Sequence, residues 1–200
     1  FLGTGRNLEF TSSLSDYTFL NRIFTPVIDS AVRIDGNVTS TVLGGASTGG
    51  NVWFYSPGGI IVGATGSFDV GGLLLTSSNI NSIDAGGSQM NFLGVAEPDT
   101  AVVIEAGATI DANQNDSYVA MVAPRVVQGG DVSVDGSVAY IGAEQAQLTI
   151  SNGLFDISVG VGSEDANGVV HTGSTTGAAS QAVVNGLGQI VAADARAIYM

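Results

Sequence analysis

The stretch NVWFYSPGGIIVGATGSFDVGG, Asn51–Gly72, sets short runs of valine, isoleucine and aromatic residues between glycines and carries a single charge, Asp69. A buried helix does not fit it, since each glycine inside a helix costs about 1 kcal/mol relative to alanine. Strands joined by tight corners do fit, because glycine reaches the positive φ angles that such corners use. Pro57 fixes φ at the second position of a turn and Gly58 follows it, which predicts a type II turn after Tyr55 that returns Ile60 to the core.

The phrase that closes this stretch, glycine, any residue, apolar, polar, apolar, recurs along the chain. It reads Gly66-Ser67-Phe68-Asp69-Val70, Gly130-Asp131-Val132-Ser133-Val134 and Gly153-Leu154-Phe155-Asp156-Ile157, with looser forms at Gly36 (GNVTS), Gly107 (GATIDA) and Gly188 (GQIVA). The intervals from Gly66 through Gly107, Gly130 and Gly153 to Gly188 are 41, 23, 23 and 35 residues. Stacked repeats have periods of roughly 20–45 residues. The 35-residue interval predicts an insertion near 160–180, in the Gly-, Ser- and Thr-rich segment VGVGSEDANGVVHTGSTTGAAS, leaving the repeat as a loop.

Apolar and polar residues alternate at Val132/Val134, Leu148/Ile150 and Phe155/Ile157, and β-branched types dominate, so the unit is made of strands. The leucine and asparagine pattern of leucine-rich repeats is missing, as are capped segments of helical period. The expected fold is all-β, a parallel β-helix in which Phe68, Val132 and Phe155 stack in columns inside a dry interior. An aligned β-sandwich is the alternative, but it gives no reason for a recurring phrase.

With 200 residues and 44% hydrophobic content, the chain is expected to form one domain over 1–200. Its formal net charge of -13, with no lysine, disfavours nucleic acid and anionic membrane surfaces as partners. Cysteine is absent, which excludes a disulfide framework and thiolate metal sites. The start at Phe1 is expected to reflect a removed signal peptide or a fragment, and no apolar run approaches the roughly 18 residues of a spanning helix.

The segment NVWFYSPGGIIVGATGSFDVGGLLLTSSNI, preceded by LNRI (Leu20–Ile23) and followed by YVAMVAPRVVQGGDVSVDGSVAYIGA, resembles the two-partner-secretion, or haemagglutination activity, domain of filamentous-haemagglutinin-like exoproteins. The resemblance runs over 10–143, with further coil-like sequence over 144–200. In that family an Asn-Pro-Asn-Gly-Ile turn follows a strand of the NVWLI kind. Here Ser56-Pro57-Gly58-Gly59-Ile60 occupies its place, and Asn21-Arg22-Ile23 stands as the earlier signature. The resemblance implies a right-handed parallel β-helix, general secretory export, and passage through an outer-membrane β-barrel transporter of the two-partner type.

His171 is the only histidine and reads as an exposed loop residue, with no triad that spacing locates. Stacked coils can bring Asp69, Asp111, Asp131 or Asp156 to neighbouring rungs, and the paired carboxylates of glycoside hydrolysis lie roughly 5–10 Å apart. Arg125 is the one basic residue in the central coils. Asp111–Asp116 (DANQND) is rich in oxygen ligands but lacks EF-hand spacing, and reads as a solvated turn rather than a calcium site. In an alternating strand Trp53 and Tyr55 share the face opposite Val52 and Phe54. They are therefore candidates for a surface aromatic contact or for cover by an element outside the helix.

The sequence thus points to a secreted or cell-surface exoprotein module of a Gram-negative-type bacterium, acting in export and adhesion and assembling into a fibre. No enzyme activity and no cofactor or metal is expected. Its expected partners are the transporter, a host or neighbouring-cell receptor or glycan, and copies of itself end to end. A carbohydrate-active β-helix enzyme, a polysaccharide lyase or hydrolase, is the alternative.

Overall fold

A computed structural model describes residues 1–25, 30–84, 87–93, 100–151, 153–163, 168–176 and 180–184, the last as backbone. The described chain is built of strands and turns, most of the strands pairing in parallel with the equivalent strand one coil away. One coil follows the opening stretch. Asn51–Tyr55 lies in what we term sheet 1, Ile60–Val62 in sheet 2 and Ser67–Asp69 in sheet 3, before Gly72–Thr76 re-enters sheet 1. The molecule is a parallel β-helix.

Register carries the repeat. Sheet 1 continues through Thr18–Arg22, Asn51–Tyr55, Gly72–Thr76, Tyr118–Ala123, the first part of Ser137–Ser151, and Ser180–Val184. Sheet 2 stacks Val32–Ile34, Ile60–Val62, Ala101–Ile104, Arg125–Gln128 and Val169–His171. Sheet 3 stacks Asn7–Thr11, Asn37–Val42, Ser67–Asp69, Thr109–Ala112, Asp131–Val134 and Ser174–Thr176.

Because neighbouring coils are in register, alternate residues of every strand form inward columns. Val38, Phe68, Ile110 and Val132 line up on sheet 3, and Phe54, Leu75, Met121 and Tyr140 on sheet 1, all buried in one continuous core. Burying side chains of this size stabilises by roughly 1.5–3 kcal/mol each. The rings also meet edge-on, with Phe54 and Phe68 centroids 6.1 Å apart at 83°.

Measured on sheet 3, the shortest coil, from Thr109 to its register partner Asp131, takes 22 residues. Ser67 to Thr109 takes 42 and Asp131 to Ser174 takes 43. Both long coils make their excursion at one corner, between sheet 1 and sheet 2. The first excursion holds the hairpin Asn79–Ile83 with Gln89–Leu93. The second extends Ser137–Ser151 beyond the coil and returns along Leu154–Gly162. The two excursions pair with each other into an antiparallel outer sheet.

This sheet corrects the expected repeat at Gly153. Its phrase lies in an antiparallel hairpin outside the solenoid, and Phe155 is buried in a second apolar cluster rather than above Phe68 and Val132. The excursion also begins earlier than expected, because Val169–His171 and Ser174–Thr176, read as part of a loop, are regular coil strands. The copy at Gly188 lies outside the described residues.

Candidate functional site

The corner after sheet 1 gathers the residues singled out by the sequence. The Ser56 N–H donates to Thr76 O at 3.1 Å, and the Gly59 N–H donates to Ser56 O at 3.0 Å, closing a four-residue turn over Pro57 and Gly58. Positive φ falls at Gly59, at 96°, and not at Gly58, so the turn is not type II. Glycine at the fourth position is the preference of type I turns.

Stacking explains both glycines. A Cβ on Gly58 would lie 2.5 Å from the Ser30 carbonyl oxygen of the preceding coil, and one on Gly59 would lie 2.7 Å from the Ala101 oxygen of the next. The corner is therefore wedged between two backbones that permit no side chain. Beside it, fully buried hydroxyl residues follow one another. Ser77 and Thr100 share a hydrogen bond at 3.2 Å, and Thr76 Oγ1 accepts from the Ser78 N–H at 3.0 Å.

Asn21, Arg22 and Ile23 lie one rung away, with Asn21 paired to Phe54 and Arg22 to Tyr55. Asn21 Nδ2 donates to Trp53 O at 3.1 Å, and the Ile23 N–H donates to Tyr55 O at 2.8 Å. The Arg22 guanidinium sits 5.7 Å from the centre of the Tyr55 ring and reaches the Ile80 carbonyl at 3.4 Å. Burial pushes the Tyr55 phenol up, with Arg22 opposing the shift. Two signatures more than 30 residues apart thus meet at one end of sheet 1.

Trp53 and Tyr55 are not a free aromatic surface. They are 4% and 5% exposed, respectively. Trp53 packs with Ile80, Met90 and Phe92 of the outer sheet, and its indole N–H donates to the Tyr118 hydroxyl at 2.7 Å. Sheet 1 is apolar on both sides, since Leu74, Ala120, Val122, Ala139 and Ile141 also face outward, and large bare apolar faces are uncommon. The covering element is the one the alternation of Trp53 and Tyr55 left open.

His171 is likewise no loop residue. It continues an inward column through Ile34, Val62, Ile104 and Gln128, and its Nε2 lies 3.3 Å from Thr175 Oγ1, which contacts the Tyr140 hydroxyl at 2.8 Å. Desolvation lowers its pKa.

The carboxylates separate. Asp69 and Asp111 are rung neighbours on the exposed face of sheet 3, Asp131 stands in the adjacent column, and Asp156 is on the outer sheet. Arg125 belongs to sheet 2. Among the described residues, no group of three His, Cys, Asp or Glu side chains is placed to hold a metal ion.

The fold is a parallel β-helix of three stacked sheets, with Asn21–Ile23 and Ser56–Ile60 at one of its corners. Residues 23–197 match the TPS secretion domain family, and the chain belongs to it. The chain is therefore a two-partner secretion domain of the haemagglutinin-like exoprotein kind, a class exported from Gram-negative bacteria with an outer-membrane transporter as the second partner. No protein of curated function matches the chain.

Proposed function

We propose that the chain directs export of an adhesive exoprotein, that its transporter recognises the corner formed by Asn21–Ile23 and Ser56–Ile60, and that the solenoid works at the cell surface. The observation that carries this reading is the meeting of those segments one rung apart. Arg22 is one of only five basic residues in an acidic chain, and its place beside the corner gives a transporter a distinctive charge to read. On this reading 1–200 acts as one domain, with the outer-sheet excursion set into the solenoid and the coils of 10–143 resuming after it at Val169–His171.

The adhesive and fibrous roles rest on the length of open surface a solenoid presents to a receptor or a glycan, and on the edge of Asn7–Thr11, which pairs with one strand among the described residues and favours contact with a second copy. The hydrolase and lyase alternative gains nothing from Asp69 and Asp111, which face open solvent without a basic neighbour from sheet 2.

Export in a strain carrying the transporter tests the proposal. Arg22→Ala and Pro57→Ala together are expected to leave the chain inside the cell, while the purified double variant keeps its parallel-sheet circular dichroism. Release at the parental level overturns recognition at this corner. Electron microscopy showing only monomers at every concentration removes the fibre.

A further inference from the structure

Between the solenoid and the outer sheet lies a cleft of about 550 Å³ that neither the repeat nor the secretion corner uses. That is within the roughly 300–1,000 Å³ of small-ligand sites. Stretches far apart in sequence converge on it, around Asp16, Thr48, Gly71, Ser88, Asn115 and Ile150. Gly49, Gly50 and Gly71 line its base and Trp53 and Tyr118 also line it.

The lining has a definite chemistry. Asp16 and Asp116 supply carboxylates, and Asn51, Gln114 and Asn115 supply amides. No arginine, lysine or histidine takes part, so an anionic ligand would meet repulsion without a partner. Carboxylate and amide groups are the acceptors and donors that suit adjacent hydroxyls. Among the described residues no group of three His, Cys, Asp or Glu side chains is placed to hold a metal ion, so the lining suits a polyol better than a hard cation.

Tyr118 provides an independent sign. It is 5% exposed, and its hydroxyl accepts the Trp53 indole N–H. The phenol stays protonated, its pKa raised by burial, yet its own O–H finds no acceptor among the described residues. Buried donors are nearly always paired. A ligand oxygen in this cleft would take that proton.

We propose that this cleft binds the end of a neutral or amino-sugar-containing saccharide, with Asp16 and Asp116 holding its hydroxyl or ammonium groups and Tyr118 donating to a ring or hydroxyl oxygen. The inference rests on the adhesive reading of the chain, for which it names the ligand class and the site.

The purified chain is titrated with neutral, amino-sugar, sulfated and sialylated oligosaccharides, following Trp53 fluorescence and saturation-transfer NMR. Neutral and amino-sugar ligands are expected to bind and the anionic ones not. The double variant Asp16→Asn and Asp116→Asn is expected to weaken binding by about tenfold, the scale of losing charge-assisted hydrogen bonds. Both residues are exposed, and asparagine tolerates the positive φ of Asp116, 61°, so the fold is kept. Tyr118→Phe should weaken binding while leaving the preference for neutral ligands intact.

No binding at millimolar saccharide, a preference for sulfated or sialylated ligands, or equal binding by the double variant overturns the proposal. Cells displaying the chain separate it from the adhesive reading. Adherence that survives the double variant overturns the cleft and leaves adhesion standing. Saccharide binding by the purified chain without adherence supports the cleft and removes adhesion.

Discussion

His171 puts a titratable ring into a column that is otherwise aliphatic as far as Gln128, and its environment sets a direction for acid sensitivity. Burial lowers its pKa in the folded chain, whereas the unfolded chain keeps a value near about 6.5. Above that pH the ring is neutral in both states and stability is unaffected. As pH falls through it, the unfolded chain takes up the proton first, so stability declines until the folded-state pKa is passed and then levels off. The slope cannot exceed about 1.4 kcal/mol per pH unit for a single group. Since this is the only histidine, urea unfolding of the parent and His171→Gln between pH 7.5 and 5.5 isolates it. The parent is expected to lose stability toward low pH and the variant to stay flat. Parallel curves would mean that the ring gains in the folded state as much as it loses in solvation.

At the scale of elements, the outer sheet decides whether sheet 1 survives in water. Met90 and Phe92 are buried against Trp53 and Leu74, and a carboxylate there has no partner. Phe92→Asp is expected to destabilise the contact by several kcal/mol, on the order of 3–5 as for an uncompensated buried charge. Trp53, the only tryptophan, should shift its emission to the red, while far-ultraviolet circular dichroism keeps most of its strand signal. An unshifted emission would mean that the hairpin does not hold the indole dry. The sequence announced the solenoid because in-register stacking repeats the same inward position, as at Phe68 and Val132, in one recognisable phrase. It disguised the outer sheet for a related reason. Leu148, Ile150, Phe155 and Ile157 alternate as a coil strand does, and only the Asn152-Gly153 dipeptide between them marks a hairpin. The structure pairs Ser151 with Leu154 across that dipeptide, with Gly153 at a φ of 70°. The corner after Tyr55 was legible through Pro57, Gly58 and Gly59, although the placement of the positive φ depended on Ser30 and Ala101, which no local pattern reveals. The cleft was not legible at all, since its contributing stretches meet only through the coil register and the outer sheet.

Across the whole molecule, stability is a matter of neighbours. Ile60–Val62 and Ser67–Asp69 have paired strands on both sides, whereas among the described residues Asn7–Thr11 and Thr18–Arg22 each pair with one strand. In a solenoid the free energy is close to a sum over coils and their interfaces, so a coil with one interface opens more readily than one with two. The N-terminal end of the core carries that difference in its side chains, because Phe19 remains 41% exposed where Val52 and Leu73 in the same column are fully buried. Native-state hydrogen exchange of this chain is therefore expected to be graded. Amides of Val62, Ile104 and Ile110 should exchange slowest, and those of Leu20 and Arg22 faster by at least about tenfold, as for sub-global opening. Raising urea in small steps should merge the terminal coil with the interior only near the global transition. If every protected amide instead exchanged at one rate set by complete unfolding, the solenoid would be a single cooperative unit rather than a sum of coils.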